Sequence, residues 1–140
     1  MFIEINGKSV KTPRCLVKKA VEFYGNYLLG PKLAKNVNLT VEFDKTENME
    51  NDYAYCDWVD NNHRARVFVI TVDRGLSKRE TLLALAHEMV HVKQIAKGQL
   101  KYKGKKIYWK GKYVNHKKVS YYDHPWEHEA WKNQKILASK

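Results

Sequence analysis

The sequence predicts an α+β chain, a small mixed sheet combined with one long central helix and a second helix at the C-terminus. Three observations lead there. Val37 to Phe43 alternates apolar with polar residues, and two further β-branched and aromatic runs follow at Tyr53 to Val59 and Ala65 to Val72. The stretch SKRETLLALAHEMVHVKQIAKG, beginning at Ser77, carries helix start and stop signals around an apolar run with one polar face. Pro125 and Trp126 then open a last helical pattern, WEHEAWKNQKILASK.

In chain order, Met1 to Ile5 reads as a short strand or arm. Thr12 to Leu29 reads as a helix, with Thr12 as its cap, Pro13 in its first turn and Gly30-Pro31 ending it. The runs Tyr53 to Val59 and Ala65 to Val72 are joined by the turn-forming Asp60-Asn61-Asn62, and Val67-Phe68-Val69-Ile70 leads toward the central helix. Ser77 with Glu80 three residues on is a capping box, and Gly98 is the C-terminal stop. From Leu100 to Val119, aromatic and lysine residues around Gly104 and Gly111 predict β-hairpins. Asp123 is the expected N-cap of the last helix, with acids in its first turn.

The central helix carries chemistry. His87-Glu88-Met89-Val90-His91 is an HExxH sequence in mid-helix. Residues four apart lie on one helical face, about 6 Å apart along the axis, so both imidazoles can reach one tetrahedral zinc at ~2.0–2.1 Å. Glu88 then points beside the metal, where a general base must sit to take a proton from zinc-bound water. The bland alternative is a pair of core histidines satisfied by hydrogen bonds. The expected reading is a zinc-dependent peptidase, with Glu88 accepting that proton and delivering it to the leaving amine.

The third ligand defines the class of site. Metzincins continue HExxHxxGxxH, and Gln94 and Lys97 stand where that pattern needs Gly and His, so that class is excluded. A Glu or His further on must complete the site, and the candidates cluster in YYDHPWEHEAW, residues Tyr121 to Trp131. Glu127 or Glu129 on the last helix can reach a metal held by the first, while either could instead serve the helix N-terminus. Besides zinc, the oxyanion needs a donor, and Tyr113, His116, Tyr121, Tyr122, His124 and His128 are the candidates. His63 is assigned no role.

HEMVHVKQ, followed by Trp109-Lys110-Gly111-Lys112 and then YYDHPWEHEA, resembles the small metallopeptidases common in phage genomes, often described as SprT-like or minimal zincin proteins. The resemblance covers roughly residues 63 to 132. It implies a compact zincin-like fold with zinc held by His87, His91 and a glutamate of the PWExEA segment, here Glu127, and Glu88 as general base. SprT proteins proper are expected to use a third histidine, and histidines also stand here at His124 and His128. The order of candidates is therefore Glu127, then Glu129, then a histidine. The resemblance further assigns the strand before the metal helix, or one beside it, to aligning an extended peptide along an open edge.

Composition bounds the remainder. A chain of 140 residues with 44% hydrophobic residues is expected to form one domain, residues 1–140, with a true core. The N-terminus has no continuous apolar segment and no stretch approaches twenty apolar residues, so no membrane association is expected and the cytoplasm, the host's if phage-encoded, is the expected location. Cys15 and Cys56 form no CxxC, and two buried free thiols are expected. The net charge is +11, and nine lysines with no Asp or Glu lie between Lys97 and Lys118, among Tyr102, Tyr108, Trp109 and Tyr113. These are ingredients of nucleic-acid binding, though a solvated lysine-rich hairpin has the same composition. The alternative to a peptidase is thus a nucleic-acid- or protein-binding module on a zincin shell, or a DNA-associated protease combining both.

Overall fold

The computed structural model of the chain describes residues 1–45, 53–60 and 65–139, with Tyr122 described by its backbone alone. Strand β1 (Phe2–Asn6) leads to helix α1 (Arg14–Leu29) and the one-turn α2 (Pro31–Ala34), and then come β2 (Asn38–Asp44), β3 (Ala54–Trp58) and β4 (Val67–Asp73). Helix α3 (Lys78–Ala96), strands β5 (Leu100–Lys103), β6 (Lys106–Trp109) and β7 (Lys112–Val114), and helix α4 (Pro125–Ala138) complete the chain. This is the α+β arrangement expected. Asn61, Asn62 and His63 lie outside the described residues.

The main sheet runs β1-β2-β4-β3, with β1, β2 and β4 parallel and β3 antiparallel at the edge. Strand periodicity sorts its residues onto two faces. One face is apolar in three cross-strand rows: Ile3, Leu39, Phe68 and Trp58; Ile5, Val41, Ile70 and Cys56; Phe43, Val72 and Ala54. These rows join Val17 and Val21 of α1 and Leu85, Ala86, Met89 and Val90 of α3 in one core. Each fully buried aliphatic or aromatic side chain there contributes about 1.5–3 kcal/mol.

Helix α3 is fixed at both ends. Ser77 Oγ accepts from Glu80 N–H at 3.1 Å, and Glu80 Oε1 accepts from Ser77 N–H at 3.3 Å, completing the capping box. At the other end, Gly98 turns the chain at φ 73°, and Arg66 Nη1 donates to Ala96 O at 2.8 Å, tying the start of β4 to the last turn of α3. Asp60 in turn accepts from the backbone N–H groups of Arg66 and Val67.

Two caps differ from expectation. Pro13, not Thr12, is the N-cap of α1: its carbonyl accepts from both Leu16 and Val17 N–H, so Thr12 lies one residue too early to cap. His124, not Asp123, is the N-cap of α4, because Pro125 occupies N1 and leaves the residue before it extended. Asp123 instead closes a single 3-10 turn and accepts from Ser120 Oγ. Gly30-Pro31 does end α1, but Pro31 also starts the one-turn α2.

Strands β5 to β7 form a separate antiparallel meander. The β6–β7 turn has Lys110 at φ 50° and Gly111 at φ 86°, the two left-handed residues a type I′ hairpin needs. Among the described residues, no helix is long and apolar enough to cross a membrane. Both cysteines are free, Cys15 exposed and Cys56 half-buried, so the expectation of two buried thiols fails at Cys15.

Candidate metal centre

Helices α3 and α4 pack side by side, and each contributes a stripe to the contact. On α3 the stripe is His87, His91 and Gln94; on α4 it is Glu127, Ala130, Trp131 and Gln134. Spacings of three, four and seven put each set on one helical face. At the meeting point, Glu127 Oε1 lies 3.0 Å from His87 Nε2 and 3.3 Å from His91 Nε2. One ligand atom from each of the three residues lies within 4.8 Å of the others.

The outer nitrogens of both rings are held as well. His87 Nδ1 meets Gln134 Oε1 at 2.6 Å, and His91 Nδ1 meets Gln94 Oε1 at 2.8 Å. Gln94 is fully buried, and its Nε2 donates to Trp126 O and to Glu129 Oε1, both at 3.0 Å. Two acceptors on that amide nitrogen leave only the amide oxygen for His91. The Nδ1 of His91 must therefore carry the proton, and its Nε2 faces inward. Two ring nitrogens and a carboxylate oxygen directed at one point repel unless a proton or a cation lies among them.

Both solutions are chemically open to this triad. Burial works against the charged form of His91, but the Glu127 hydrogen bond, the charges of Glu88 and Glu127 and the Gln94 contact outweigh it and raise its pKa to about 9. Burial likewise works against ionised Glu127, and its bonds to His87 and His91 and their charges bring its pKa down to about 2. A metal would replace the proton. Bonds of ~2.0–2.1 Å in a tetrahedron place ligand atoms about 3.3 Å apart, close to the separations found here. The group can hold a metal ion.

The other candidates are placed elsewhere. Glu129 Oε1 accepts from Gln94 and, at 2.9 Å, from Lys93 Nζ. Burial pushes its carboxyl up, and these bonds and the Lys93 charge outweigh that and lower it. It braces Gln94 rather than facing the two inner nitrogens. His124 stacks on Trp126, centroids 4.6 Å apart, with Nε2 at 3.2 Å from His116 O. His128 is exposed and lies 3.8 Å from Asp123.

Glu88 is buried, and it lines two clefts that meet at the site. The first, about 170 Å³, has Cys56, Trp58, His91, Tyr102 and Glu127 in its walls. The second, about 350 Å³, has Tyr53, Leu83, His87, Trp131 and Gln134. Ala54, Glu88 and Tyr121 belong to both, so edge strand β3 borders a trough made of the two adjoining clefts. Asp73 N–H bonds Tyr53 O and Val59 N–H bonds Val67 O, so by ladder alternation Ala54, Cys56 and Trp58 turn their backbone groups away from β4. Burial, then the charges of Glu88 and Asp57, hold the Cys56 thiol well above its ordinary range, which keeps it a neutral wall residue.

Of the proposed oxyanion donors with described side chains, Tyr121 alone lines these clefts. The sequence reading missed Tyr102. Its ring packs on Trp58 with centroids 5.1 Å apart, and burial, then the charges of Glu127 and Cys56, push its hydroxyl up to about 12, so it stays a donor. Gln94 and Gln134 were also missed as supports. The signal for each was present, at three residues from His91 and seven from Glu127. Comparison with protein-family models, with curated proteins and with solved structures finds no match.

Proposed function

We propose that the chain is a zinc-dependent endopeptidase, with His87, His91 and Glu127 holding the metal and Glu88 as general base. One observation carries the reading: an inward-facing His-His-Glu triad, locked by two glutamines, shares its trough with a buried glutamate next in sequence to the first ligand. A His₂Glu set is a zinc donor set, and zinc supplies Lewis-acid polarisation and a lowered water pKa when bound.

The protein's own groups would do the rest. An extended peptide would pair with the outward backbone groups of Ala54 and Cys56 on β3, passing over Glu88. Because Glu88 borders both adjoining clefts, substrate would extend from it in both directions, which suits cleavage within a chain. Glu88 takes a proton from the attacking water and returns it to the leaving amine. Tyr102 donates its hydroxyl proton in a hydrogen bond to the developing oxyanion.

Elemental zinc analysis with Glu88→Gln, paired with mass spectrometry of unfolded proteins incubated with each form, tests the proposal. Wild type should cleave, and the variant should keep its zinc and lose cleavage. Cleavage that survives in Glu88→Gln, or zinc-loaded wild type that cuts nothing, would sink it.

A further inference from the structure

The β5–β6–β7 sheet has two chemically different faces, and the peptidase reading uses only one. Register puts Leu100, Tyr102, Ile107, Trp109 and Val114 on the inner side, where all pack on the core and Leu100 and Tyr102 line the cleft. The same register puts Lys101, Tyr108 and Tyr113 in one row across the outer side, with Lys103 and Lys106 paired in the next row. Tyr113 is 56% exposed. The rings of Tyr108 and Tyr113 lie 5.9 Å apart, Lys103 Nζ sits 5.3 Å above the first and Lys106 Nζ 5.9 Å above the second. No acidic residue occurs between Lys97 and Lys118.

We propose that this outer face binds single-stranded nucleic acid, with Tyr108 and Tyr113 stacking on bases and Lys101, Lys103 and Lys106 meeting phosphates. The charge calls for a polyanion, and the adjacent rings select one with exposed π-faces. A duplex hides those faces in its own stack, and a sulfated polysaccharide has none. The ammonium groups now above the rings are within reach of the backbone of any strand whose bases displace them. A strand on this face would lie across the sheet from the cleft, so nucleic acid and a peptide can be held together. The inference is independent of the peptidase reading, since the measurement includes no cleavage.

The test is fluorescence anisotropy with a labelled oligothymidylate about 20 nucleotides long, against a duplex of equal length and against heparin. Wild type should bind the single strand most tightly, with affinity falling steeply as salt rises. Tyr108→Ala with Tyr113→Ala should weaken the single strand roughly tenfold or more and leave heparin binding unchanged, while Tyr108→Phe with Tyr113→Phe restores it. Lys103→Gln with Lys106→Gln, which keeps both rings, should weaken the strand and flatten its salt dependence. No binding at low salt, or equal affinity for strand, duplex and heparin with no effect of the tyrosines, overturns the proposal.

Discussion

His91 and Gln94, one turn apart on α3, are joined Nδ1 to Oε1 at 2.8 Å, and Gln94 passes the contact on to Trp126 O and Glu129 Oε1 at the start of α4. One buried amide thus sets the tautomer of a ligand and anchors the helix that brings the third ligand. That is why α3 and α4 place Glu127 between two imidazoles rather than merely near them.

The ligand set should show in metal content. His87→Ala and Glu127→Ala should lose the about one zinc per chain expected of wild type by elemental analysis, whereas Glu129→Ala should retain it. Loss of zinc in Glu129→Ala alone would reverse the roles assigned to the two glutamates.

Gln94→Leu should lower zinc affinity by about 10–100-fold in a competitive chelator titration, the usual cost of losing the partner of a ligating histidine. It also strands Trp126 O and the Nδ1 proton of His91, so the melting temperature should fall together with affinity.

The metal-free protein should be pH-sensitive on both sides. His91 has its pKa raised from 6.5 to about 9, so its stabilisation is complete below 6.5 and is lost as pH rises through 9. Glu127 is lowered from 4.5 to about 2, so its share is complete above 4.5 and is lost as pH falls toward 2. The melting temperature of chelator-treated protein should therefore hold between about 4.5 and 6.5 and decline on either side, a profile Glu127→Gln flattens. Zinc displaces the His91 proton, so the rise in melting temperature on adding zinc should be larger at pH 8.5 than at pH 6, both about the values to compare.

Tyr102→Phe keeps the ring on Trp58 and removes only the hydroxyl. On the peptidase reading kcat should drop by about 10²-fold with KM and zinc content unchanged. A change in KM alone would make Tyr102 a binding residue.

Phe68, fully buried on the interior strand β4, is paired with Leu39 and Trp58 in the sheet and is not one of the three metal-site residues. Phe68→Ala should cost about 3–5 kcal/mol in denaturant unfolding, read on zinc-loaded protein so that metal loss is not the cause.

Much of this was legible in the chain because it depends on neighbours in sequence. Helical spacing alone puts His87 and His91 on one face with Glu88 beside them, and the Ser77–Glu80 box and Gly98 bound that helix by local hydrogen bonds and a left-handed turn. Strand alternation likewise marked the core face of β2, and a continuous apolar run marked β4 as a strand. The caps of α1 and α4 were misplaced because proline acts at two positions: Pro13 is itself the cap of α1, and Pro125 occupies N1 of α4.

Only tertiary structure decided the rest. Glu127 and Glu129 are two residues apart on one helix, about 200° around it, so both cannot face α3 in the same way, and the packing angle of α4 turns the first to the histidines and the second to Gln94 and Lys93. Tyr102 reaches the cleft because hairpin register, not sequence distance, sets which face it takes. Local spacing determined what the metal helix offers; the packing of α4, β3 and the meander against it determined which distant residues complete the site, since those contacts join residues that only the folded chain brings together.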